Sequence, residues 1–245
     1  MTLQFRTEKL TCLSTELDSA LVLDTSEMLA RIGCYNAATK TLYETTCPAT
    51  QKPSESILTS IQACLQEAQL PLKEIKAMLV GLGPGSFTGL RVGLATMKGL
   101  AMGAQVPLYG FCSLEALALS HQANVIVPVR NAQRGDVFAG AFANKGTSPT
   151  LENIIPVGLF RPEDFAAQLD ALATQQIALL GESASLLKPH LKNPEQYLFT
   201  TTNLNTESAL VLKQNDILEE RLIELNALSP AYLRLSAAEE NIKNT

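Results

Sequence analysis

The densest chemistry-bearing stretch of the chain is Gly81-Leu82-Gly83-Pro84-Gly85-Ser86-Phe87-Thr88-Gly89-Leu90-Arg91-Val92-Gly93, set between an apolar run and a helical pattern. Backbone amides at such a strand-to-helix turn can hold an anion. The stretch is not a Walker loop, because no Gly-Lys-Ser/Thr follows at the required spacing and the phosphate-reaching lysine is missing. Gly83, Gly85 and Gly89 spell a Gly-x-Gly-x-x-x-Gly variant of the dinucleotide fingerprint. The strand that follows ends at Tyr109-Gly110, however, without the acidic residue that grips a ribose. A second polar cluster, Asp24-Thr25-Ser26, ends the first clear strand, where an aspartate either faces phosphate or caps a turn. If a nucleotide were bound, Asp24, Thr25, Gly83, Gly85 and Ser86 are the residues it would approach.

Other catalytic patterns are incomplete. His121 and His190 are the only histidines and belong to neither His-x-x-x-His nor His-Glu-x-x-His, so a metallopeptidase centre would lack its ligands. No Gly-x-Ser-x-Gly elbow is present, and Ser86 reads better as a helix cap than as a nucleophile. The run Arg130-Asn131-Ala132-Gln133-Arg134-Gly135-Asp136 carries two arginines that can meet phosphate, or simply solubilise a hairpin tip. No catalytic residue is assigned.

These residues must be positioned by a set of alternating elements. Strands are expected at 20–23, 31–35 and 41–45, with the last two joined by a polar hairpin-like connection at 36–40. A helix capped by Ser54 carries Ile57, Ile61 and Leu65 at i, i+4 and i+8 and stops before Pro71. A buried strand at 77–80, a helix over 88–103, a short strand at 106–109 and a helix from Ser113 complete this half. In the second half, strands at 125–129 and 137–142, a helix over 162–172, a strand at 177–180 and a helix near 207–214 suggest a smaller α/β unit. The pattern predicts an α/β layer fold with mixed sheets.

The glycine helix is the most informative element. Gly89, Gly93, Gly99 and Gly103 lie within it or at its ends, and each interior glycine costs roughly 0.5–1 kcal/mol relative to alanine. With Ala95, Thr96 and Ala101 they leave two narrow faces of small residues, while Leu90, Leu94 and Met97 form an apolar ridge. One face suits packing on this chain's own sheet. The other suits either more of the same or an interface.

Composition narrows the class. A chain of 245 residues, 46% hydrophobic and 18% charged, can bury a sizeable core. A net charge of −5 disfavours direct binding of nucleic acid except at a local patch or through a partner. Five cysteines without a Cys-x-x-Cys pair fit a reducing, cytoplasmic setting rather than a disulfide framework or a zinc site. The first twenty residues do not read as a signal peptide, and no membrane span is expected. Residues 1–18 show neither period and are expected to be a loosely held extension, and residues 236–245 a polar tail.

Taken in order, Leu23-Asp24-Thr25-Ser26, the run from Gly83 to Gly93, the turn from Asn131 to Phe138 and Pro230-Ala231-Tyr232-Leu233-Arg234 resemble the TsaB family, also called YeaZ. The resemblance covers about residues 20–234. It implies an actin-like (ASKHA, ribonuclease H-like) fold of two subdomains: 19–112, rejoined by about 216–235, and 113–215. It implies a non-catalytic scaffold and activator that pairs with TsaD, with ATP-hydrolysing TsaE joining the pair. Together they would install threonylcarbamoyl on adenosine 37 of tRNAs reading ANN codons, with the activated group supplied by a TsaC-type synthase. No intrinsic cofactor is implied, ATP and magnesium entering at the level of the complex, and tRNA would be met through the complex. Pairing would use a helical bundle built on Ile57, Ile61 and Leu65 of one helix and Leu90, Leu94 and Met97 of the next, with Thr88, Arg91 and Gly93 at the same contact. A homodimer through the same helices is compatible with this. The chain departs from the family pattern at Pro53-Ser54-Glu55, where many relatives carry a histidine, and at Asn131 and Gln133, where relatives carry aspartate and arginine. The alternative reading is a small actin-like phosphotransferase or ATPase using Asp24 and the Gly83–Gly85 turn.

Overall fold

The computed structural model describes residues 3–48, 53–144, 151–172 and 176–234, with only the backbone of 53–55. Among these residues two compact units are formed, one by residues up to Ser113 with Asn205–Ala231 and the other by Leu114–Leu204 with residues 232–234.

The first unit is built on strands β1 (Phe5–Lys9), β2 (Ala20–Asp24), β3 (Arg31–Asn36), β4 (Thr41–Thr46), β5 (Ala77–Gly81) and β6 (Leu108–Phe111) in the order β1-β4-β3-β2-β5-β6. The pairs β1/β4, β4/β3 and β3/β2 are antiparallel, whereas β2/β5 and β5/β6 are parallel. Every residue of β2 and β5 is buried, as expected of strands covered on both faces. Alternate residues show what covers them. Leu21, Leu23, Met78 and Val80 join one core cluster with Ile57 and Ile61 of helix α1 (Pro53–Glu67) and Leu94 and Met97 of helix α2 (Phe87–Ala104). On the opposite face Val22 stands beside Gly33, and a Cβ at Gly33 would fall 2.1 Å from the Thr206 hydroxyl at the start of helix α5 (Thr206–Leu218).

Two expectations are corrected here. Residues 5–9 are an edge strand rather than a loose extension, and Leu10, Leu13 and Leu17 behind them are buried. Arg6, Glu8 and Lys9 hide the strand from a periodicity search because an edge strand with one neighbour tolerates charge. The chain also rejoins the first unit at Asn205, not near 216. Glu44 of β4 fixes that return: its carboxylate accepts the Thr206 amide at 2.5 Å and the Thr206 hydroxyl at 2.6 Å. A carboxylate at a helix N-terminus satisfies a free amide and complements the dipole. The cap expected of Ser54 and the tail from 236 lie outside the described residues and side chains.

Helix α3 (Ser113–Leu119) leads into the second unit, whose sheet runs β11-β10-β7-β8-β9. Its strands are β7 (Val125–Asn131), β8 (Val137–Asn144), β9 (Leu151–Phe160), β10 (Ile177–Leu180) and β11 (Tyr197–Thr200). β7/β8 and β8/β9 are antiparallel, and β10 is parallel to both β7 and β11. Helix α4 (Pro162–Ala171) buries Phe165, Ala166 and Leu169 against Val127, Val129 and Leu179. Strands β9 and β11 escape a sequence reading. The first contains Pro156 and Gly158 and meets β8 through two register shifts, and the second is a four-residue edge.

Candidate functional site

The Asp24-Thr25-Ser26 turn and the glycine run meet in the first unit. Asp24 is 1% exposed, and one carboxylate oxygen accepts the Ser26 amide at 3.0 Å and the Ser26 hydroxyl. The other accepts the Ser113 hydroxyl at 2.5 Å, and a Cβ on Gly81 would fall 2.0 Å from it. Asp24 is therefore committed to joining the end of β2 to the start of α3. The Ser86 amide donates to Ser26 O at 2.9 Å, and a Cβ at Gly85 would lie 2.2 Å from that oxygen. One turn on, a Cβ at Gly89 would lie 2.3 Å from Thr25 O, and one at Gly93 would lie 2.2 Å from Thr25 Oγ1. Gly85 and Gly89 lack side chains because this chain's own backbone passes there, and Gly93 because the Thr25 side chain does.

Ser86 is the N-cap of α2, its hydroxyl accepting the Gly89 amide at 3.2 Å, and Gln105 ends the helix in the left-handed conformation. The space beside Gly85 and Gly89 is filled by the backbone of Ser26 and Thr25. Gly83, with φ 93°, instead serves the turn and packs on Leu90. Among the described residues no group of three His, Cys, Asp or Glu could hold a metal ion.

Helices α1 and α2 show a second site, turned the opposite way from the expectation. Ile57, Ile61, Leu90, Leu94 and Met97 are all buried in the unit's own core, and Gly93 is closed by Thr25. Ile57, Leu90, Leu94 and Met97 thus face inward, whereas Ile61, though buried, also lines the cavity between the helices. An apolar stripe at helical spacing marks the side that the sheet covers. The outward side of α2 presents Thr88, Arg91, Ala95, Gly99 and Met102, at intervals of three and four, followed by Gly103. Met102 is 68% exposed and Leu58 of α1 is 58% exposed. A Cβ on Gly99 or Gly103 would meet nothing within 4 Å. Beside this stripe an apolar cavity of ≈ 510 Å³ opens between the helices, lined by Leu58, Ile61, Leu65, Leu70, Leu72 and Leu100. Arg91 holds its guanidinium 3.8 Å from the centre of the Phe87 ring, a cation–π contact at the start of the exposed face.

In the second unit the 131–136 turn has left-handed residues at Gln133, Arg134 and Gly135. It is clasped by Arg234, which donates to Gln133 O at 3.1 Å and pairs with Asp136. Thiol chemistry has no foothold in the core: burial pushes Cys34 up to about 12 and raises Cys64 as well, so both stay protonated at neutral pH.

A family model described as "TsaD: tRNA N6-adenosine threonylcarbamoyltransferase" matches residues 48–242. The chain is 27% identical over 186 residues to the tRNA threonylcarbamoyladenosine biosynthesis protein TsaB of Bacillus subtilis, an alignment covering 74% of this chain and 79% of that one. It is 30% identical over 122 residues to the protein of the same name from Escherichia coli, covering 48% and 52%. A solved structure titled as an uncharacterized protein with similarity to peptidase YEAZ, from Pseudomonas aeruginosa, superposes with a TM-score of 0.76 at 22% identity, covering 89% of this chain and all of that one. YeaZ from the same organism gives 0.72. The fold is thus the actin-like α/β fold with two mixed sheets, and the chain belongs to the TsaD family, within its TsaB (YeaZ) branch.

Proposed function

We propose that the chain takes part in the biosynthesis of threonylcarbamoyladenosine in tRNA, as its relatives' names state of them, and that it does so as a non-catalytic subunit pairing with a TsaD-type transferase. The carrying observation is the open stripe on α2. Gly99 weakens the helix by roughly 0.5–1 kcal/mol, and Gly103 by less, without any contact among the described residues that needs them. A second helix backbone laid along Ala95, Gly99 and Met102, with an apolar side chain entering the cavity beside Leu65 and Leu100, would supply that need. Thr88, Arg91 and Leu65 are the members of the expected contact set that reach this face; the buried members shape it from beneath.

On this reading TsaE joins the pair, tRNAs reading ANN codons are met through the complex, and ATP with magnesium acts there rather than in this chain. A cytoplasmic setting follows from the substrate. Among the described residues no helix is long and apolar enough to cross a membrane. The test is purification with TsaD, comparing the native chain with Gly99→Leu: a complex with the first and none with the second supports the proposal. No complex with the native chain sinks it. The ATPase alternative needs Mg-ATP binding by the isolated chain that Asp24→Ala abolishes, and the committed carboxylate of Asp24 weighs against it.

A further inference from the structure

After α5 the chain runs back over the first unit as a strap, residues 219–231, with turns at 219–220 and 225–227 and neither helix nor strand. Leu225 packs on the core from this strap, and further contacts hold it. Leu228 is 3% exposed and belongs to the same core as Leu94 and Met97. The Ala231 amide donates to Leu82 O at 2.8 Å, just before the glycine turn. Between them, Lys98 Nζ of α2 donates to Leu228 O at 2.8 Å, across 130 positions of sequence. Gly110 makes room for the arrangement, since a Cβ there would fall 2.4 Å from Leu82 and 3.1 Å from Leu228.

Lys98 follows Ala95 by three positions and precedes Met102 by four, so its stem borders the exposed stripe on that helix. We infer that Lys98 is a positioning residue that pins the strap to α2 and thereby couples the strap to the partner-binding face. Held by the carbonyl, its four-carbon stem lies fixed along the edge of the stripe. Released, the same side chain becomes a mobile, strongly hydrated cation at the rim of a surface that needs close approach. The pinned state is the one in which pairing costs least ordering, and pairing in turn stabilises the pin.

The coupling half of this inference rests on the proposed pairing, so the strap is read separately. Amide exchange at Ala231 reports the pin without any partner, and affinity for TsaD reports the coupling. Removing a charged donor while keeping an apolar stem, as in Lys98→Met, should speed Ala231 exchange roughly tenfold or more. It should weaken pairing several-fold, whereas Lys98→Arg restores both. Gly99→Leu should abolish pairing with Ala231 exchange unchanged. Unchanged exchange at Ala231 in Lys98→Met overturns the pin, and faster exchange with undiminished TsaD affinity overturns the coupling. Absence of pairing by the native chain defeats the proposed function and the coupling together, while the exchange result still decides the pin.

Discussion

Thr25 lies against Gly93 so closely that a Cβ on the glycine would fall 2.2 Å from the threonine hydroxyl oxygen. That oxygen is itself buried without a hydrogen-bond partner among the described residues, so the contact is one of shape. The same turn brings Thr25 O within 2.3 Å of a Cβ at Gly89.

The four glycines of α2 therefore divide by sign. Gly89→Ala and Gly93→Ala must displace the Thr25 turn and should destabilise the chain by about 1–3 kcal/mol. Gly99→Ala has open space and should stabilise it by about 0.5–1 kcal/mol, with Gly103→Ala giving less because it lies in the last helical turn. Urea denaturation of the four variants gives the signs directly; a destabilised Gly99→Ala would mean that the stripe is covered within the free chain.

Partner binding and folding should separate on one helix. Leu94→Glu places an unpaired charge in a site 7% exposed and should leave little folded protein. Gly99→Leu should fold normally, with an unchanged far-ultraviolet circular dichroism spectrum, and fail to retain TsaD. Reversal of that pattern would return the interface to the inner stripe.

Glu44 should be needed for α5 to dock. Glu44→Ala leaves the Thr206 hydroxyl and amide without their acceptor beneath Gly33, at a cost of about 1–3 kcal/mol. Amide exchange should rise through 206–218 more than in the second unit. Equal changes in both would show that the return helix is held by other contacts.

Cys12 gives a pH prediction. Although Cys12 is exposed, desolvation by the groups around it, and then the hydrogen bond to Glu207, raise its pKa to about 11, so at pH 8 the thiolate is a minute fraction of the total. Its alkylation rate should climb about tenfold per pH unit up to that value. Glu207→Gln removes the carboxylate that opposes ionisation and should speed the reaction at pH 8. A rate in the variant no faster than in the native chain would remove Glu207 from the account.

Much of the architecture is written in local pattern. The runs at β2 and β5 are continuous and apolar because both faces are covered, and Ser86, the glycines and Gln105 mark where α2 begins and ends. Residues 5–9 are hidden because an edge strand with one neighbour can be charged, and β9 because Pro156, Gly158 and the bulges break its alternation. The partner face is legible only in part. Spacing finds the apolar stripe of each helix, yet that stripe is what the chain keeps for itself. The signal for the outer face was present as Ala95, Gly99 and Gly103, and which glycines are free depends on where Thr25 lies, far from them in sequence.

The dependence of α5 on Glu44 and Gly33 also imposes an order on synthesis. Helix α5, which covers the face of the sheet that carries Val22, Gly33 and Glu44, leaves the ribosome only after the whole of 114–204. Until then the part of that face beneath α5 is bare in the growing chain, an invitation to holdase chaperones and to aggregation. Maturation of the first unit thus waits on a segment translated after the second unit's sheet.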